Sequence, residues 1–239
     1  MSASSRIAPF VARAERELRQ IASFTPACSA RTADTMLLDF LMPAYCAACG
    51  RPGSGLCDRC SALIASSSAI LIGGRDGTPP LTALGAYEGV LRTAILALKF
   101  RNARHVGTRL GNWLGRRLIW PFEVVIPVPL HAARLRMRGF NQAGVIARAV
   151  ARAAGSCFVE HALVRNRSTL PQSSLDLAGR QANVRGAFAP GRHVDRVAGC
   201  RVLIVDDVVT TGATLRACAA ALIASGVRTV YGAAAAVRL

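Results

Sequence analysis

The sequence predicts an α/β fold built on a parallel sheet, with a small cysteine-rich segment ahead of it. Three observations carry this reading. Val202–Val205 is a fully apolar run, the kind of strand buried on both faces of a parallel sheet. It is followed by a helical stretch, Ala213–Ser225, closed by Gly226, and by a second strand pattern, Val227–Ala235, so that strand, helix and strand form a βαβ unit. Upstream, Cys46, Cys49, Cys57 and Cys60 fall within fifteen positions, the pattern of a small metal-binding segment.

Taken in order, residues 1–35 hold a short helical pattern (Val11, Leu18, Ile21) and then Thr25-Pro-Ala-Cys-Ser, with no chemistry in view. They are treated as an extension, and Met36 is a second candidate start. Met36–Met42 is apolar and is halted by Pro43, which opens a four-cysteine segment over 36–68. Within it Ser61–Ser68 reads as helix. Ile70–Pro80, with Gly73-Gly74 and Pro79-Pro80, reads as a turn region and marks the boundary to a domain over 69–239. Leu81–Tyr87 is a short strand. Val90–Phe100 is a helix by the spacing of Leu91, Ile95 and Leu98, and Leu110–Leu118 is another. Val124–Pro129 is a β-branched strand running into prolines, as strands do where they meet a loop. Gly144–Ala154 is an alanine-rich helix ended by Gly155, and Asn166–Asn183 is a long polar loop.

The 239 residues and 52% hydrophobic content are ample for a core. Apolar stretches such as Ala217–Ala224 fall far short of the ~20 residues a membrane helix needs. Glu15 and Glu17 interrupt the basic N-terminus, so no secretory signal is read and a soluble cytoplasmic protein is expected. The net charge is +17, almost all from arginine, because Lys99 is the single lysine. Lys99–Arg117 and Arg134–Arg152 are rich in cations and hold no acid. Such a field attracts polyanions (nucleic acid, phosphorylated metabolites, anionic lipid), although solvated helix faces account for many single arginines.

Of eight cysteines, Cys28, Cys157, Cys200 and Cys218 are scattered, which argues against a disulfide scaffold and for a reduced compartment with one metal site. Cys46/Cys49 and Cys57/Cys60 are two Cys-x-x-Cys pairs, each able to supply two thiolates to one tetrahedral ion, and Gly50 permits the turn of a metal knuckle. With four thiolates no coordination position stays open. The ion is therefore expected to be structural, Zn²⁺ rather than iron, in a segment too small to build a core of its own.

The sharpest chemistry sits after the apolar strand. Asp206 and Asp207 are delivered to the carboxyl edge of the sheet, where ligands of open α/β folds bind. Neighbouring carboxylates accept hydrogen bonds from a ribose 2′,3′-diol. Thr210, Thr211, Gly212, Ala213 and Thr214 then open directly into a helix, so hydroxyls, backbone N–H groups and the helix dipole converge on an anion such as a 5′-phosphate. Gly212 lets the backbone approach it closely. A response-regulator receiver domain needs roughly a hundred residues beyond such an acidic pair, and too few follow here. The Asp-x-Asp-x-Thr pattern of haloacid dehalogenases is absent.

The segment Val202–Thr214 resembles the phosphoribosyl-pyrophosphate (PRPP) motif of type I phosphoribosyltransferases at every position. The resemblance implies that Asp206 and Asp207, the candidate catalytic pair, hold the ribose, that Thr210–Thr214 binds the 5′-phosphate, and that Mg²⁺ accompanies the pyrophosphate. Val128, Pro129, Leu130 and His131 sit where such enzymes place their pyrophosphate loop, and Arg138 in Arg134–Gln142 is the matching guanidinium. Gln172, Arg180 and Asn183 are candidates for a mobile loop that closes over the ligand.

With the four-cysteine knuckle, Tyr87 through Lys99-Phe100, Pro-Val-Pro-Leu-His and Arg-Gly-Phe-Asn-Gln, the chain is similar to the ComF family of competence proteins from about Met36 to Arg238. It departs at Asn102, where that family usually has glycine. The resemblance implies a role in natural transformation, handling incoming single-stranded DNA at the cytoplasmic side beside a DNA-translocating ATPase and a recombination mediator. Three functions stay open: a ribose-phosphate (PRPP or nucleotide) protein of competence, a non-catalytic single-stranded DNA binder or adaptor, and a nucleobase-salvage phosphoribosyltransferase. The low aromatic content, 5%, speaks against an open base-stacking platform.

Overall fold

The computed structural model describes residues 45–53, 55–166 and 186–238. The expectations for residues 1–44 and for Gln172, Arg180 and Asn183 lie outside the described residues. Residues 44–239 form one compact unit.

Its elements are α1 (Asp58–Ala65), β1 (Ile70–Ile72), β2 (Leu81–Ala83), α2 (Gly89–Phe100), α3 (Arg104–Gly115), β3 (Val124–Pro127), α4 (Ala132–Arg138), α5 (Gln142–Ala154), β4 (Cys157–Phe158), β5 (Leu163–Arg165), β6 (Phe188–Pro190), a 3₁₀ turn (Val194–Val197), β7 (Arg201–Val209), α6 (Ala213–Ala224) and β8 (Thr229–Val237). The main sheet has the order β1-β2-β8-β7-β3-β4. Only β1 is antiparallel to its neighbour. β5 and β6 pair separately as a short antiparallel ribbon.

From β3 the chain returns through α5 to β4 on one side, and from β7 it returns through α6 to β8 on the other. The strand order therefore reverses between β3 and β7, and such a switch point leaves a crevice at the carboxyl ends of the two strands. The expected parallel α/β sheet is present, and the strand alternation sends side chains to opposite layers. On one side Leu203 and Val205 pack with Leu98, Val106, Leu110, Ile146 and Val150 from α2, α3 and α5. On the other Val202 and Ile204 pack with Leu215 and Leu222 of α6. The cysteine segment has no separate core: Cys46, Leu56, Cys60 and Ile64 are buried in the α2–α3 layer.

Three elements depart from the expectations. The turn region Ile70–Pro80 contains β1, three residues long and defined by pairing with β2 rather than by any internal period. α4 lies where the sequence points to anion-binding guanidiniums in Arg134–Gln142 and to no helix of its own. It buries no residue, so it has no apolar stripe to read, and it is bounded by local chemistry: His131 Nδ1 accepts from the Ala133 N–H and Gly139 closes it at φ 76°. α3 begins at Arg104, six residues before the expected Leu110, and beside the buried Val106, Leu110 and Leu114 it carries a row of glycines facing α5.

That face decides how α3 and α5 approach. Gly107, Gly111 and Gly115 recur every fourth residue, one row along a helix. A Cβ on Gly107 would stand 2.9 Å from Val145 Cγ1 and one on Gly115 2.9 Å from Ala153 Cβ, while on Gly111 it would fall on the Ile146 carbonyl oxygen. Alanine in a helix interior is worth about 1 kcal/mol over glycine, but over-packing against backbone costs about 1–3 kcal/mol or more. The second effect wins here. Gly111→Ala is expected to lower unfolding free energy in urea by about 2 kcal/mol; unchanged or higher stability would contradict this packing.

Candidate functional site

β3 stops pairing with β7 at Pro127↔Val205, whereas β8 stays beside β7 as far as Val209↔Val237. Asp206 and Asp207 therefore emerge just past the end of β3, on the open side of the crevice. The loop after β3 is fastened to the same point, because the Val128 N–H donates to the Val205 carbonyl at 2.9 Å. Val128 is buried, and Pro129, Leu130 and His131 are half-buried around the crevice. The Asn141 side-chain amide donates to the Val128 carbonyl at 3.0 Å, and its Oδ1 caps α5 by accepting from the Ala143 N–H at 3.1 Å. This is the local reason for the run Gly139-Phe-Asn-Gln142: Gly139 ends α4, Phe140 is buried under the Arg104 guanidinium at 4.6 Å, and Asn141 ties the β3 loop to the start of α5.

The two acids do not face the same way. Asp206, with Thr210, Gly212, Ala213 and Thr214, lines one concavity at the start of α6. Asp207 points into the opposite layer, where Lys99 of α2 meets its Oδ1 at 2.9 Å. The acids stay linked through the backbone, since the Asp207 N–H donates to Asp206 Oδ1 at 2.8 Å. The Asp207 side chain is 7% exposed, and its Oδ2 has no hydrogen-bond partner among the described residues. Burial raises the pKa of Asp206 to about 7, assisted by the Asp207 charge; the Asp207 N–H, Lys99 and Arg165 act against this.

Gly212 takes φ 72° at the N-cap of α6, and a Cβ there would stand 2.8 Å from Thr78 Cγ2. No side chain caps this helix, although Thr211 Oγ1 accepts from the Ala213 N–H at 3.4 Å. The first turn thus presents backbone N–H groups and the positive end of the helix dipole toward the concavity.

Cations gather around the acids from three further elements. Burial lowers the pKa of Arg138 on α4, offset by attraction to Asp207 and reinforced by Arg134. Burial likewise lowers that of Arg165 on β5, with Arg134 adding to it and Asp206 opposing it. The sequence singles out Lys99 as the one lysine, as the start of an acid-free cationic stretch and in the Lys99-Phe100 segment of the family resemblance, but gives it no site role. Its partner lies 108 positions away, a contact no local pattern announces. Asn102, the departure from glycine, has φ 53°. The turn demands the left-handed conformation and asparagine is among the side chains that tolerate it, so the backbone role of that turn is kept.

The four cysteines come together as expected, their sulfurs all within 4.8 Å of one another. Cys49 Sγ and Cys57 Sγ are 3.7 Å apart. A tetrahedral ion with Zn–S bonds of about 2.3 Å requires sulfur–sulfur edges of about 3.8 Å, so the donor set fits such an ion. Gly50 makes the turn at φ 72°. Burial works to raise the Cys46 thiol pKa, but N–H donors from Cys57, Cys49 and Ala48 outweigh it and bring it down to about 6. Burial and the neighbouring thiols push Cys60 upward, a penalty a cation relieves. The cluster is braced by α3: Arg109 donates to the Leu56 carbonyl at 2.8 Å and to Ser61 Oγ at 2.9 Å. Among the described residues no helix is long and apolar enough to cross a membrane.

Residues 135–238 match the phosphoribosyl transferase domain family. The DNA utilization protein YhgH of Escherichia coli O157:H7 is 30% identical over 197 residues, covering 77% of this chain and 85% of that protein. Competence protein F of Haemophilus influenzae is 30% identical over 141 residues, 55% of this chain and 61% of that one. A glutamine PRPP amidotransferase from B. subtilis superposes loosely, at 23% identity and a TM-score of 0.40, over 56% of this chain and 26% of its own. With the switch-point topology and the cysteine cluster already in place, the chain belongs to the ComF/YhgH family, a type I phosphoribosyltransferase fold with an N-terminal four-cysteine cluster.

Proposed function

We propose that the crevice between β3 and β7 binds a phosphorylated ribose, as PRPP or a nucleotide, and that the protein serves DNA uptake or utilization as its relatives' names suggest. The observation that carries this is the concavity in which Asp206 meets Thr210, Gly212, Ala213 and Thr214 at the start of α6. There the 5′-phosphate rests on the first-turn N–H groups and threonine hydroxyls, and the ribose diol donates to Asp206, while Asp207 stays in the opposite layer on Lys99. Val128–His131 and Arg138 border the side where a pyrophosphate would lie. Mg²⁺ would enter with the ligand, offsetting the pyrophosphate charge. Any transfer at C1′ of the ribose would rest on positioning and charge stabilisation by these groups. The four cysteines are assigned to one structural Zn²⁺.

A second reading, a single-stranded DNA binder or adaptor, is favoured by the +17 charge and by exposed Arg101, Arg104 and Arg136 in the acid-free stretches. Binding to phosphates releases counterions, so oligonucleotide affinity should fall at least about tenfold between about 50 and about 200 mM salt. Salt-insensitive or undetectable binding would set this reading aside.

Calorimetry with Mg²⁺-PRPP should show saturable binding to the wild type that Asp206→Asn/Asp207→Asn abolishes. Equal binding by both proteins would remove the ribose assignment. Asp206→Asn alone carries a further sign. An unfolded carboxyl titrates near 3.8 and the folded one near 7, so the folded state holds the extra proton between those values. This carboxyl's contribution to stability therefore falls as pH rises through that window. The single variant should melt higher than wild type at pH 8 and match it near pH 4. Equal melting at both pH values would contradict the burial of this charge.

Metal analysis of the purified protein should find about one equivalent of zinc, lost in Cys49→Ser. Chelation should lower Tm, because buried Cys46 and Cys60 lose the ion that joins them. A metal-free protein with an unchanged Tm would refute the assignment.

A further inference from the structure

The charge pattern around the acid pair points to a residue that the ribose-phosphate reading does not use. We propose that Lys99 is a positioning residue of this site: it holds Asp207 and, through the Asp207 N–H on the Asp206 carboxylate, orients and charge-balances the acid that lines the concavity. The inference rests on the ribose-phosphate reading for its purpose, but its geometry stands independently.

The chain has 30 cations, of which only Lys99 is lysine. It occupies the last turn of α2 and meets Asp207 Oδ1 at 2.9 Å with 19% of its side chain exposed. Surface ion pairs are worth little, but here the acid is 7% exposed and its second oxygen has no partner among the described residues, so removing the cation strands a buried charge. An arginine at this position would bring a wider, planar fork, whereas an ammonium is a compact point charge on a flexible stem. Held in place, Asp207 donates its backbone N–H to Asp206 Oδ1 at 2.8 Å, so the two carboxylates are set by one chain of contacts that begins on α2.

The groups facing this pair are Lys99 from α2, Arg138 from α4, Arg165 from β5 and Cys218 from α6, with Arg134 of α4 acting on the two arginines. Lys99 is in direct ionic contact with Asp207. Among these cations it and Arg165 draw the Asp206 titration downward. Without Lys99 both acids repel each other with less compensation, and Asp206 keeps its proton to higher pH. A protonated Asp206 accepts fewer hydrogen bonds from a diol.

The test uses the full-length protein as wild type, Lys99→Met and Lys99→Arg. Carboxyl ¹³C NMR follows Asp206 without any ligand, and calorimetry follows Mg²⁺-PRPP from pH 6 to pH 9. In Lys99→Met the Asp206 midpoint and the pH at which PRPP affinity is half-maximal should both rise by about one pH unit, the low end of the effect of a nearby opposite charge. Affinity should fall about fivefold at pH 7 and recover near pH 9. Lys99→Arg, which restores the charge, should return the midpoint to within a few tenths of wild type. An unmoved Asp206 midpoint in folded Lys99→Met overturns the proposal, as does an affinity loss of equal size at every pH, the mark of a merely structural role. If Lys99→Met does not fold, a Lys99→Arg midpoint displaced as far as one pH unit overturns it in the same way. A wild type that binds no PRPP defeats the ribose-phosphate reading alone, since the NMR midpoint still decides the role of Lys99.

Discussion

The early end of β3 against a longer β7 is the constraint from which the site follows. Both strands are buried on both faces and share a register from Val124↔Val202 to Pro127↔Val205. Pro127 cannot donate to a ladder and the chain turns away, so the backbone of β7 beyond Val205 loses its neighbour on that side. Asp206 and Asp207 occupy those positions. Two carboxylates inside a sheet would be intolerable unpaired, whereas at its edge they meet the crevice, the α6 N-terminus and the cations Lys99, Arg138 and Arg165.

The layers on either side treat the two acids differently, and the difference is electrostatic as much as geometric. Asp206 lies among the groups of the α6 side, where N–H donors and threonine hydroxyls are suited to an anion and a diol. Asp207 lies on the α2 side, fixed by Lys99. α2 is in turn held by the layer that contains the cysteine segment: Cys60 and Ile64 share a cluster with Leu91, Ile95 and Leu98. The four-cysteine cluster and the acid pair are therefore parts of one packed body. The cluster's position is further secured by Arg109 and by Arg117, which donates to the Ser67 and Ala65 carbonyls.

Much of this was legible in the chain order. The apolar run Val202–Val205, the threonine–glycine loop and the alanine-rich helix after it carry their own local signals, and β7, α6 and β8 appear with bounds shifted by a few residues at most of their ends. The cysteine pairs were legible because their ligands are close in sequence. α3 was read too late because the row it turns to α5 is glycine, which registers in no hydrophobic period. α4 has no helical signal in the sequence because it buries no residue and so carries no apolar stripe. The β1 strand exists only through its partner.

What the sequence by itself determined is therefore chemistry carried by short-range patterns: an acidic pair on a buried strand, an anion-binding helix start and a four-thiolate set at knuckle spacing. Tertiary structure alone decided which acid faces the concavity, which is clamped, and by what. Lys99 and Asp207 are 108 residues apart, and their contact depends on how closely α3 and α5 pack, on the layer α2 joins and on where β3 ends. Each is a property of packed surfaces, set by steric fit and burial among distant segments, and neither composition nor periodicity records it.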